Sequence, residues 1–240
     1  MIKGIIFDLG GTLMEITRSW NDVIREGAEA MSEWYLKKRR IKVDAEALID
    51  AFIIERYNAC QESRTTHTEI PAQESLRRAL THVGAPASTQ AFTEAAIKVF
   101  FEPEENAYRL YDDALDTIKQ LKHQGYRLGL YSNATDDKLI QRLINRYRLR
   151  PHLSPTFSSA AFGWRKPKPD LFTLIAERWS LPADQVAVVG DTVEADILGA
   201  HNAGMIGILI KREGKMSSSP VQPAATIDQL AELPALLKQL

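Results

Sequence analysis

A chain of 240 residues, 45% hydrophobic and 25% charged, has the composition of a globular protein with a sizeable core, which excludes disorder. Its formal net charge is −1 with both signs mixed along the chain, so neither a nucleic-acid surface nor an anionic-membrane surface is expected. The single cysteine, Cys60, leaves no intramolecular disulfide, and no early apolar segment has the length of a signal peptide or a membrane span, so a cytoplasmic location is expected.

The first element is a strand. The run GIIFD is apolar up to Asp8 and is followed by Leu9-Gly10-Gly11-Thr12, a loop composition. From about Ile16 to about Phe101 the apolar residues recur at helical spacing: Trp20, Val23, Ile24, Gly27, Ala28, Met31 and Tyr35, then Leu76, Ala79, Leu80 and Val83, then Phe92, Ala95, Ala96, Val99 and Phe100. Asp44 and Ser88 are placed to cap helix starts and Gly84 to end one, while the basic run Lys37 to Arg40 suits a helix C-terminus. After a helix carrying Leu115, Ile118 and Leu121, Gly125 introduces a second strand, YRLGLYSN, and VAVVGD and IGILI read as two more. KMSSSP, Lys215 to Pro220, has the composition of a mobile loop.

Strands alternating with helices give an α/β fold, a Rossmann-like doubly wound parallel sheet, interrupted after its first strand by an all-helical insertion. The expected boundaries are 1–15 and 104–240 for the core and 16–103 for the insertion. Three strands end in polar residues: Asp8, then Ser132 and Asn133, then Asp191. Ligands of open α/β sheets bind outside the carboxyl ends of the strands, so these ends are expected to form one site. The insertion leaves from one of them, where it is placed to serve as a lid that excludes water.

Four fragments stand in order: Asp8 in FDLGGTL, Ser132 in LYSN, Lys166 in RKPKPDLF, and Asp191 with Asp196 in VGDTVEAD. Together they resemble the haloacid dehalogenase-like superfamily, in the branch with a helical cap between the first and second motifs. The resemblance implies that Asp8 is a carboxylate nucleophile, which attacks phosphorus and divides a hard displacement into two easier ones. It implies Mg²⁺ held by Asp8, Asp191 and the backbone carbonyl of Gly10, with Asp196 in or beside the ligand set. It also implies that Lys166 neutralises phosphoryl oxygens, that Ser132, Asn133 and Gly11 contact the substrate, and that Thr12 supports the nucleophile loop. The expected partner is a small-molecule phosphate, and the expected assembly a monomer or homodimer.

Gly10 departs from the family pattern, which places a second aspartate there to protonate the leaving oxygen and then to activate water. Glu15 is the nearest candidate carboxylate in sequence to substitute for it, with an exposed hinge glutamate as its ordinary reading. Three other activities stay open. A dehalogenase expels halide and needs no acid, but its relatives lack the aspartate found here at 191. A phosphonate hydrolase needs a cap lysine with a depressed pKa, and Lys37, Lys38 and Lys42 lie in or beside a solvated charge run. A phosphate-binding protein with lost turnover would keep metal and phosphate binding alone. Arg18, Trp20, Arg56, Tyr57 and His67 of the insertion are chemically suited to substrate contact, and periodicity does not choose among them.

Overall fold

A computed structural model of the chain describes residues 1–212 and 220–240. The expected loop Lys215 to Pro220 therefore lies, except for Pro220, outside the described residues. In chain order the elements are β1 (Gly4–Phe7), β2 (Met14–Ile16), α1 (Trp20–Arg39), α2 (Ala45–Thr66), α3 (Ala72–His82), α4 (Gln90–Phe100), α5 (Glu102–Ala107) and β3 (Tyr108–Leu110). Then come α6 (Ala114–His123), β4 (Arg127–Ser132), α7 (Asp137–Arg146), β5 (Thr156–Ser158), α8 (Ser159–Phe162), α9 (Asp170–Trp179), β6 (Val186–Gly190), a π-helical turn (Val193–Ile197), α10 (Leu198–Asn202), β7 (Ile206–Ile210), β8 (Ala225–Ile227) and α11 (Leu233–Leu236).

Six strands form one parallel sheet in the order β5-β4-β1-β6-β7-β8. The chain winds outward from β1 through β4 to β5, then returns to the other side of β1 and winds through β6 to β8. Such reversal opens a crevice at the carboxyl ends of the strands flanking the switch, here β1 and β6. The strands are buried on both faces, which is why GIIF and VAVVG read as continuous apolar runs without alternation. On one face Leu171, Phe172, Ile175 and Trp179 of α9 pack against Ile6, Val188 and Tyr131 of the sheet. Tyr131 and Phe172 meet edge to face at 4.9 Å.

The chain divides into two compact units, Met1–Glu15 with Arg109–Leu240, and Ile16–Tyr108. The second is helical, and it runs past the expected limit at 103. Pro103 stands in the first turn of α5, where a missing N–H costs nothing, so helix continues to Ala107. The buried stripe of α1 is Val23, Gly27, Ala28, Met31 and Tyr35, whereas Trp20, at the helix start, is 44% exposed. Asp44 caps α2 as expected, accepting from the N–H groups of Glu46 and Ala47. At α4 the cap is Thr89 rather than Ser88: the Thr89 side chain accepts from Phe92 N–H, and the Ser88 hydroxyl points to the Thr89 carbonyl. Gly84 follows α3 with φ +67°, the left-handed conformation expected of a helix stop. Arg40 ends α1 at φ 53°, behind the basic residues Lys37, Lys38 and Arg39 of its last turn.

Candidate active site

Asp8 is the first residue beyond β1, and its N–H donates to the Val189 carbonyl of β6 at 2.9 Å. The loop after it folds back on one acceptor, the Leu9 carbonyl, which takes the N–H groups of Leu13 and Met14, both at 2.9 Å. Gly11 closes that turn by donating its own N–H to the Met14 carbonyl at 2.7 Å. Its φ is +82°, and a Cβ there would overlap the Asp191 carboxylate. Glycine is thus required twice over, for the backbone angle and for the approach of Asp191. Gly10, by contrast, is not in the left-handed region.

Asp191 follows β6, and Asp196 lies in the π-helical turn that begins after Thr192. Thr192 serves both carboxylates. Its N–H donates to Asp196 at 3.0 Å and its hydroxyl to Asp191 at 3.1 Å. A Cβ at Gly190 would overlap the Asp196 side chain, so that position too is small by necessity.

Lys166 reaches the same point from the loop between α8 and α9. Its ammonium is 3% exposed and donates to Asp8, to Asp196 at 2.7 Å and to the Tyr131 carbonyl at 3.0 Å, which accounts for all three of its protons. Its main chain is also held: Lys166 N–H donates to Asn133 Oδ1 at 2.9 Å, and Asn133 Nδ2 donates back to the Lys166 carbonyl at 3.2 Å. Tyr131 Oη donates to the Trp164 carbonyl at 3.2 Å and Asn202 Nδ2 to the Pro167 carbonyl at 3.1 Å, so the loop is secured on both sides of the lysine.

The electrostatics follow from three carboxylates around one cation. Burial pushes the Asp8 carboxyl up to about 7; Lys166 opposes this, and Asp196 and Asp191 add to it. Burial likewise raises Asp196 against the pull of Lys166. Lys166 is drawn down by burial, but Asp196 and Asp8 outweigh that and hold it above its ordinary value as a fixed cation. Asp8, Asp191 and Asp196 each offer an oxygen, all within 4.8 Å of one another. An all-oxygen set with excess negative charge fits a hard divalent cation such as Mg²⁺.

The sequence-expected residues Asp8, Gly10, Gly11, Lys166, Asp191 and Asp196 therefore converge on the switch point. Ser132 ends β4 and is buried there. Thr12 is fully buried, with no hydrogen-bond partner for its hydroxyl among the described residues. Asn133 holds Lys166 with its side-chain amide, and the Gly11 N–H is engaged within its own loop. Glu15 is tied to Arg109, whose Nε and Nη2 both donate to its Oε1. In the helical unit Arg18 pairs with Glu26, Arg56 stacks on Phe100 and Phe101, His67 ends α2, and Tyr57 is exposed. Sequence reasoning missed Thr192, Tyr131 and Asn202. Thr192 adjoins Asp191 and could have been flagged; the other two act across the fold and leave no local signal.

The chain is similar to known proteins along its whole length. The glyceraldehyde 3-phosphate phosphatase of Methanopyrus kandleri is 25% identical over 100% of this chain and 99% of its own length. The human N-acylneuraminate-9-phosphatase is 25% identical over 100% of this chain and 95% of its own. The crystal structure of a 2-haloacid dehalogenase from Pseudomonas syringae, 24% identical, superposes with a TM-score of 0.72 over 100% of this chain and 99% of that one, a likeness of fold. The family model described as haloacid dehalogenase-like hydrolase matches residues 2–204, and the chain belongs to that family of hydrolases.

Proposed function

We propose that the protein is a Mg²⁺-dependent phosphatase that hydrolyses a small-molecule phosphate through an aspartyl-phosphate on Asp8. The observation that carries this reading is the convergence of the Asp8, Asp191 and Asp196 oxygens within 4.8 Å beside the Lys166 ammonium. Attack of a carboxylate on a phosphate brings two anions together and needs positive charge at the point of contact. Lys166 supplies one fixed charge there. Mg²⁺, held by Asp8, Asp191 and the Gly10 carbonyl with Asp196 in reach, would neutralise the rest and orient the phosphoryl oxygens. Phosphatase activity in full-length relatives supports the same assignment.

In the first half-reaction an Asp8 oxygen bonds to phosphorus while the bond from phosphorus to the leaving group breaks. Lys166 keeps Asp8 oriented, and the Ser132 hydroxyl at the end of β4 is suited to donate to a phosphoryl oxygen. Water then attacks phosphorus and returns the carboxylate. Dehalogenation is the weaker reading, because halide expulsion needs no cation and would leave the three converging carboxylates without a use. The test is hydrolysis of a panel of phosphates alongside a 2-haloacid. Chelation should abolish phosphate release and added Mg²⁺ should restore it, whereas halide release that survives chelation without phosphatase activity overturns the reading.

A further inference from the structure

Among the described residues of the sheet-bearing unit, the carboxylates and the ammonium around Asp8 are engaged as charges and not as acids. Gly10 has no side chain. The three N–H bonds of Lys166 are directed at Asp8, Asp196 and the Tyr131 carbonyl. Asp196 accepts from Lys166 through Oδ1 and from Thr192 N–H through Oδ2, and Asp191 accepts from the Thr192 hydroxyl. Glu15, the carboxylate nearest in sequence after the loop, is held by two N–H groups of Arg109. Each of these carboxylates is arranged as an acceptor, and Lys166 is clamped on both its side chain and its main chain.

We propose that the substrates of this site are acyl phosphates, whose leaving group departs as a carboxylate and needs no proton. The inference rests on the phosphatase reading and narrows it. An Asp8 oxygen bonds to phosphorus, the bond from phosphorus to the acyl oxygen breaks, and its electron pair leaves with the carboxylate. In the second step a water oxygen bonds to phosphorus, the bond to Asp8 breaks with its pair returning to that carboxylate, and the water protons pass to product phosphate and solvent. Both departing groups are carboxylates, so the two steps pose the same chemical demand. An alkyl phosphate would have to expel an alkoxide, for which a positioned acid typically contributes about 10²- to 10⁴-fold. Without a base to activate water, the aspartyl-phosphate should outlast the first step.

The test uses the full chain with Mg²⁺ and four probes: acetyl, 4-nitrophenyl, phenyl and ethyl phosphate. Expected is a steep fall in kcat/KM along that series, at least about 10²-fold between the ends, with phosphorylated Asp8 visible by intact mass after rapid quench of the acetyl phosphate reaction. Gly10→Asp, at a position outside the left-handed region, should raise kcat/KM for ethyl phosphate more than for acetyl phosphate. Ethyl phosphate hydrolysed within about tenfold of acetyl phosphate overturns the inference and leaves the phosphatase reading intact. A folded Gly10→Asp that raises kcat/KM for both substrates equally also overturns it. If no probe is hydrolysed and none labels Asp8, the phosphatase reading fails and takes the inference with it.

Discussion

Each unit of the molecule buries a cluster of charges, and the two clusters are put together differently. In the helical unit the guanidinium of Arg56 lies over Phe100 at 4.7 Å and Phe101 at 5.5 Å, within the field of Glu104 and Glu69, which are 6% and 5% exposed. Burial lowers Arg56, and the Glu104 and Glu69 carboxylates resist that fall. Its aromatic floor and its acids come from the helical unit itself, Phe100 and Glu104 from helices and Phe101 and Glu69 from the segments joining them, so the charge serves packing. In the sheet-bearing unit Asp8, Asp191 and Asp196 gather beside Lys166, and burial, reinforced by the Asp196 and Asp191 charges and opposed by Lys166, raises Asp8 to about 7. That surplus of negative charge offers three carboxylate oxygens within 4.8 Å of one another, a set suited to a cation. A buried cluster balanced by its own neighbours should matter to stability, and an unbalanced one to function.

The largest expected effect lies in the unbalanced cluster. Asp8→Asn keeps the shape of the side chain and removes the nucleophile, so turnover should fall by at least about 10⁴-fold while cooperative unfolding persists. Residual turnover near the wild-type rate in a pure sample would mean that another group attacks. Asp191→Ala should lose activity and with it the rise in melting temperature that Mg²⁺ gives the wild type. A Mg²⁺ response undiminished in that variant would remove Asp191 from the ligand set.

The balanced cluster should behave in the opposite sense. Arg56→Met removes the cation from the field of Glu69 and Glu104 in the helical unit. Breaking a buried pair on one side costs about 3–5 kcal/mol, and the partial exposure of Arg56 brings the expectation to about 2–3 kcal/mol, read as a lower urea midpoint at unchanged slope. A loss below about 0.5 kcal/mol, the size of an ordinary surface substitution, would show that Arg56 does not balance the two acids.

A smaller effect joins stability to pH in the sheet-bearing unit. Asp8 is raised from 3.8 to about 7 in the folded chain without metal, so between these values the native state binds more protons than the unfolded one. Its contribution is complete below about pH 4 and is lost as pH rises through about 7. Lys166, raised above 10.5, stays protonated across that window and adds no slope. In chelator, wild type should therefore lose about 1–3 kcal/mol relative to Asp8→Asn between pH 4 and 8, and the variant should be the more stable protein at pH 8. Parallel stability curves for the two would break the contrast between the clusters.

What the sequence disclosed follows the range of the forces involved. β1, β4, β6 and β7 are apolar runs of four residues or more and were legible, as were the residues at their carboxyl ends. β5 and β8, TFS and ATI, are three residues long and are strands only because β4 and β7 offer them edges. Asp8 and Asp191 could be read because each follows an apolar strand, whereas Lys166 was legible only through the family resemblance of the motif order. The π-helical turn that aims Asp196 at Lys166 has no periodicity of its own, and the Arg109 partner of Glu15 lies across the whole helical insertion. Asn133 was legible as a site residue, but the use of its side chain was not. An Asn after a strand is equally suited to a ligand or to a loop, and only the fold brings Lys166 to it.

Asn133 gives the smallest and most discriminating expectation. Its amide makes two hydrogen bonds to the main chain of Lys166, at 2.9 and 3.2 Å, and these fix the base of a side chain whose tip is fixed by Asp8, Asp196 and Tyr131. Asn133→Ala removes the lower clamp and leaves the upper one. A hydrogen bond of this kind contributes about 1 kcal/mol, and Tyr131 and Asn202 still hold the loop at Trp164 and Pro167, so stability should fall by about 1–2 kcal/mol. The kinetic consequence should fall on kcat, by roughly tenfold, because loosening Lys166 weakens charge stabilisation as phosphorus is attacked and not the initial encounter. Asn133→Asp would keep one acceptor for the Lys166 N–H while losing the donor to its carbonyl, and should recover part of kcat. A rise in KM at constant kcat, unrelieved by aspartate, would instead show the amide touching substrate and would return Asn133 to the role its position after the strand first suggested.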